Sequence, residues 1–146
     1  MADKFTRLAE GYWVAPQITA ADVKDAAEMG VSLIINNRPD NEEPRQPSGA
    51  EIEAAARELG INYCAIPIGR AGISADQLDE LAEKIESAEG PILAFCRSGT
   101  RSTVLRAFVK AREGAPVSDL VSEARQAGYD LGSMRSALEA IARSRG

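Results

Sequence analysis

The sequence contains no histidine and only two cysteines. The first absence excludes a Ser-His-Asp triad, a Cys-His pair and the common zinc sites, all of which need imidazole. The second excludes a disulfide framework and makes a reducing cytoplasm the expected setting. No run approaches the roughly eighteen consecutive apolar residues of a membrane span. The opening stretch MADKFTRLAE lacks the apolar centre of a secretion signal, so export is not expected. Lys and Arg number 17 against 22 Asp and Glu, a net charge of −5, which argues against nucleic acid as a partner. What remains is an ordinary soluble composition, 45% apolar and 27% charged over 146 residues. That length suits one domain, residues 1–146, around one core.

Two apolar rhythms alternate along the chain. Short β-type runs occupy Val31 to Ile35, Ile61 to Ile68 and Pro91 to Phe95, with helical stretches between them whose apolar residues lie three and four apart. Thr19 starts a helix over Ala20 to Met29. Ser48 with Glu51 forms a capping box before Ile52 to Leu59, and Ser74 with Gln77 forms another before Leu78 to Ala88. Gly30, Gly60 and Gly90 stop these helices. Strand, helix and strand with short links predict βαβ crossovers and a mainly parallel sheet flanked by helices. From Ser102 onward the chain reads as all helix, with later helices over Val117 to Gln126 and Met134 to Ala142. Gly11 to Val14 is expected to add an edge strand. The expectation is a single α/β domain with an all-helical C-terminal third.

One connection is long for a strand-to-helix link: Asn36 to Gly49, NNRPDNEEPRQPSG, with three prolines. It reads either as a solvated surface loop or as a rim over the carboxyl end of the sheet, where open α/β folds bind ligands. As a rim it would offer Arg38, Asp40 and Arg45 to a substrate.

The chemistry concentrates in Cys96-Arg97-Ser98-Gly99-Thr100-Arg101-Ser102, where a buried strand runs directly into Cys96 and a helix begins a few residues later. Amides at a helix start have no intrahelical acceptor, and the helix dipole adds partial positive charge. A tight turn of successive N–H groups makes an anion-binding nest, for which Gly99 supplies the conformational freedom. A thiolate placed there beside Arg97 and Arg101 is stabilised without imidazole. Arg101 has the fork geometry to hold a tetrahedral oxyanion in two bonds, Thr100 and Ser102 can donate hydroxyl hydrogen bonds to the bound group or to the sulfur, and the backbone amides of residues 97 to 101, Ser98 among them, can hold the anion. Cys64 lies mid-strand in INYCAIPI and reads as an inert, buried thiol. Arg70, in the loop after that strand, is a weaker candidate contact.

Cys-x-x-x-x-Arg after a strand resembles the active-site loop of rhodaneses. Tyrosine and dual-specificity phosphatases use a similar loop one residue longer. The stretches INNRPDNEEPRQPS, INYCAIPI and GPILAFCRSGTRS resemble the bacterial family called beta-lactamase hydrolase-like protein, phosphatase-like domain, over roughly residues 10 to 112. That resemblance implies a dual-specificity-phosphatase-like fold. Some members are fused to a metallo-β-lactamase-type persulfide dioxygenase, which implies a role in sulfide and persulfide metabolism and a dioxygenase as partner.

A cysteine phosphatase needs a general acid for its leaving oxygen. The loop that supplies it in those enzymes corresponds here to Pro67 to Ile73, which has no carboxylate; Asp40 is the one substitute. Sulfur transfer needs no such acid, because sulfite and thiolates leave readily. The expectation is therefore a sulfurtransferase. Cys96 takes sulfane sulfur from thiosulfate or a related anion, carries it as a persulfide and passes it to a thiol such as glutathione. A phosphatase with Asp40 as acid, and a non-catalytic anion-binding module, are the rival readings. No metal or organic cofactor is implied.

Overall fold

The structure, a computed structural model, describes residues 4–144; the extreme ends of the expected 1–146 domain lie outside the described residues. Five strands form one mixed sheet: β1 (Thr6–Ala9), β2 (Tyr12–Ala15), β3 (Leu33–Asn36), β4 (Asn62–Ala65) and β5 (Ile92–Phe95). Their order is β1-β2-β5-β3-β4, with β1 antiparallel to β2 and every other pair parallel. β5 is thus the central strand, flanked by two parallel neighbours.

All four residues of β3 and of β5 are buried, because helices cover both faces of the sheet. Ile34, Leu93 and Phe95 point to one side, where they meet Val23 and Ala26 of α1 (Ala20–Glu28) and Ile52 and Ala56 of α2 (Gly49–Glu58). Leu33, Ile35, Ile92 and Ala94 point to the other. There they meet Leu78 and Leu81 of α3 (Ala75–Ser87) and Leu105 and Val109 of α4 (Thr100–Arg112). A third cluster joins α4 to α5 (Val117–Gln126) and α6 (Arg135–Arg143) through Ala107, Ala111, Leu120, Val121 and Leu138. The sheet, its helices and the helical C-terminal third therefore agree with the sequence pattern.

Several particulars differ. Tyr12–Ala15 is an interior strand, because Thr6–Ala9, not anticipated, pairs outside it and takes the edge. The run Ile61 to Ile68 narrows to Asn62–Ala65: Pro67 has no N–H for a ladder, while Ile66 and Ile68 donate to the carbonyls of Asn36 and Asn37 at 2.9 and 3.0 Å. The box at Ser74 and Gln77 closes in both directions. At Ser48 only one arm forms, the Glu51 N–H donating to the serine hydroxyl at 3.1 Å.

Candidate functional site

Cys96 follows immediately on the central strand and is held from both sides. Its N–H donates to Ala15 O at 3.3 Å, and the Asn37 N–H donates to Phe95 O at 2.8 Å. The residue has no exposed surface, and its Sγ accepts the Gly99 N–H at 3.0 Å. Sulfur, turn and helix start therefore form one unit at the carboxyl end of the sheet. Gly99 caps α4 with φ +95, a left-handed conformation that side chains oppose. A Cβ there would also overlap the Tyr129 hydroxyl, so the position excludes a side chain twice over.

The hydroxyl residues divide their work. Ser98 Oγ donates to Thr100 Oγ1 at 3.0 Å and accepts the Thr100 N–H at 3.3 Å, bracing the turn. Thr103 Oγ1 donates back to Gly99 O at 2.9 Å. Ser102 is fully buried, and among the described residues its Oγ has no hydrogen-bond partner.

Arg101 is tied down across the site. Its Nη1 donates to Glu42 Oε2 at 2.6 Å and to Ile68 O at 2.8 Å, and its Nη2 donates to Glu42 Oε1 at 2.9 Å. The Arg101 hydrogen bonds, joined by Arg38 and opposed by burial, pull the Glu42 carboxyl from its ordinary 4.5 to about 2. Glu42 is therefore an anion at neutral pH and no proton donor. In return the Glu42 hydrogen bond, with help from the nearby Cys96 sulfur, pushes the Arg101 pKa up against the effect of burial. Glu43 reaches Arg97 at 3.2 Å and Arg38 at 2.6 Å. Pro39, Glu42, Glu43, Gly69, Arg70, Arg97 and Arg101 together line a mouth of about 440 Å³.

The long loop after β3 is thus a rim, but not through the residues expected of it. Arg38 is buried, its side chain 3% exposed, and it donates to Glu42 at 2.9 Å, Glu43 at 2.6 Å and Gln17 Oε1 at 3.1 Å. It anchors the loop instead of facing a ligand, because only there can its buried charge be matched. Asp40 accepts the Gly49 N–H at 2.8 Å at the start of α2 and lines a separate depression with Asn36 and Tyr63. A carboxylate committed to a helix N-terminus outside the mouth is not positioned as a general acid for Cys96. Arg45 is exposed at φ +69 and does not line the mouth. Cys64 is half-buried on the edge strand β4, not enclosed, and burial still pushes its thiol up to about 11.

Glu42, Glu43 and Tyr129 are the participants the motif did not indicate. Tyr129 donates to Ser98 O at 3.2 Å from the turn after α5. Burial, and then the neighbouring Cys96, push its phenol pKa up. Beside the mouth, and sharing Arg101 with it, lies an apolar cleft of about 410 Å³ between α3, α4 and α6. Among the described residues no three His, Cys, Asp or Glu side chains gather as a metal site, and no helix is long and apolar enough to cross a membrane.

The arrangement, a buried thiol that accepts the Gly99 N–H at the start of α4 with the Arg101 guanidinium nearby, suits nucleophilic attack on an anion. Similarity to other proteins points the same way. A model of the family described as beta-lactamase hydrolase-like protein, phosphatase-like domain, matches residues 4–115. A beta-lactamase hydrolase-like protein of Agrobacterium fabrum is 34% identical over 129 residues, covering 88% of this chain but only 30% of the relative. The crystal structure of a candidate phosphatase from Neisseria meningitidis superposes with a TM-score of 0.86 at 34% identity, over 96% of this chain and 99% of that one. The crystal structure of Tk-PTP in its active form gives 0.74 at 16% identity, covering 99% of both chains, a likeness of fold alone.

Proposed function

Because the chain belongs to the beta-lactamase hydrolase-like protein, phosphatase-like domain family, with the fold of the cysteine phosphatases, we propose that it hydrolyses phosphomonoesters through a Cys96 phosphocysteine. The observation that carries this reading is the position of the loop. Cys96 follows directly on the central strand, its sulfur takes the Gly99 N–H, and Arg101 lines the mouth. A phosphoryl group entering the mouth exchanges places with the Glu42 carboxylate on Arg101 and takes up the amides of residues 97 to 101. Cys96 Sγ attacks phosphorus and the bond to the leaving oxygen breaks. Water then adds to the phosphocysteine, releasing inorganic phosphate and restoring the thiolate.

Pro67 to Ile73 has no carboxylic acid, Asp40 is engaged at the start of α2, Glu42 is ionised, and Glu43, the other carboxylate of the mouth, is held by Arg38 and Arg97. The enzyme therefore favours leaving groups that depart without a proton, aryl oxides over alkoxides. Turnover of an aryl phosphate is expected to exceed that of an alkyl phosphate by at least about a hundredfold, and Cys96→Ser is expected to lower it at least about a thousandfold.

The missing acid and the four-residue gap between Cys96 and Arg101 also favour a second reading, the sulfurtransferase. There Cys96 takes sulfane sulfur from thiosulfate, sulfite leaves, and glutathione or a persulfide-handling partner receives the sulfur. A side-by-side assay decides between them. Aryl phosphate turnover that vanishes in Cys96→Ser supports the phosphatase. One extra sulfur on Cys96 in intact mass after thiosulfate, with no phosphate released from the ester, replaces it with the sulfurtransferase.

A further inference from the structure

Resting on the phosphatase reading, we infer that the cleft beside Arg101 is a subsite for an aliphatic tail, so that the substrate is an amphiphilic phosphate with its charge in the loop and its chain between α3, α4 and α6. The cleft begins where the anion cradle ends. Thr100 and Arg101 belong to the cradle and also line the cleft. Thr100, Val104 and Phe108 then follow along α4 at intervals of four, a stripe running away from the cradle for roughly 12 Å at 1.5 Å per residue. Leu78 of α3 and Ile73 face it from one side, Met134 and Ile141 from the other. Arg101 is the one charged residue in this lining, at the end nearest the sulfur.

The composition selects the occupant. A volume of about 410 Å³ lies within the range of small-molecule sites. Val104, Phe108, Met134, Ile141 and Ile73 are only half-buried, so the groove keeps apolar surface in contact with water beside a guanidinium that holds anions. A sugar or a peptide bearing many polar groups would lose hydrogen bonds to water in such a lining without regaining them. An alkyl chain loses none, and each methylene that leaves water strengthens binding roughly fourfold. Since no acid protonates the leaving atom, the chain is carried on a leaving group that departs as an anion, such as a substituted phenoxide.

Two pairs of probes test this in the full chain. Hexylphosphonate is expected to bind at least about tenfold more tightly than methylphosphonate, measured by calorimetry. Para-hexylphenyl phosphate is expected to show a similarly higher kcat/KM than phenyl phosphate, although its leaving group is marginally the less acidic of the two. Val104→Ser and Met134→Gln, made separately so that a packing defect in one is not mistaken for loss of the subsite, are each expected to reduce both ratios at least threefold while circular dichroism stays native. Ratios near one in the unaltered protein, or ratios that survive both variants, overturn the subsite. Binding of neither phosphonate overturns it too. Self-association that Met134→Gln abolishes, with a phosphonate ratio of one, gives the cleft to a second copy and likewise overturns the proposal. If the phosphonate ratio holds but neither ester is hydrolysed, the subsite stands and the phosphatase reading falls. If both esters are hydrolysed equally, with equal phosphonate binding, the subsite falls and the phosphatase stands.

Discussion

In the loop after β3 the Glu42 carboxyl is pulled from 4.5 to about 2, chiefly through its hydrogen bonds from Arg101. A carboxyl depressed on folding adds stability above its unfolded value and surrenders it as pH falls towards its folded one. The window here is pH 4.5 down to about 2. Glu42→Gln removes a titrating group, so acid unfolding followed by circular dichroism should show a shallower loss of stability across that window than in the unaltered protein. The same variant leaves Arg101 without its carboxylate, and inorganic phosphate should inhibit it at about threefold lower concentration in low salt. Cys96 and Arg101 were legible in the sequence because strand end, turn, two arginines and helix start fall within consecutive residues. Glu42 was not, since it meets Arg101 across 59 positions and nothing local distinguishes it from Asp40 or Glu43. Tyr129 was hidden for the same reason, 31 positions from Ser98.

At the scale of elements, the helix starts were the most readable part of the chain, because a cap is a contact between residues three apart. The box at Ser74 and Gln77 formed in full. At Ser48 the reciprocal arm, Glu51 on the Ser48 N–H, is absent, and Asp40 arrives from the loop to take the neighbouring Gly49 N–H, a contact no local pattern announces. Strand lengths were less readable. β4 stops at Ala65 because its continuation bonds past the end of β3, a matter of register between distant segments. The proposed chemistry rests on the start of α4, and Gly99 is its cap. Gly99→Ala combines an unfavourable positive φ with a collision against Tyr129. It is expected to cost about 1–3 kcal/mol of stability in urea titrations, and to lower kcat/KM for an aryl phosphate at least about tenfold, because the N–H given to Cys96 shifts with the turn.

For the molecule as a whole, two-sided burial of the central strands followed from the unbroken apolar runs, whereas the docking of α5 and α6 on α4 did not follow from any motif. Leu138, fully buried in that third cluster, fastens α6. Leu138→Ala should cost about 2–5 kcal/mol in urea unfolding. Met134 and Ile141 flank it, so the variant should also erode the preference for hexylphosphonate over methylphosphonate. The two outer strands of the sheet have a further consequence. β1 and β4 are each four residues long, β1 breaks register between Arg7 and Ala9, and β4 turns Asn62 and Ala65 to solvent. Such margins present few successive unpaired amides to another chain, so edge-to-edge pairing of two sheets finds little ladder to extend.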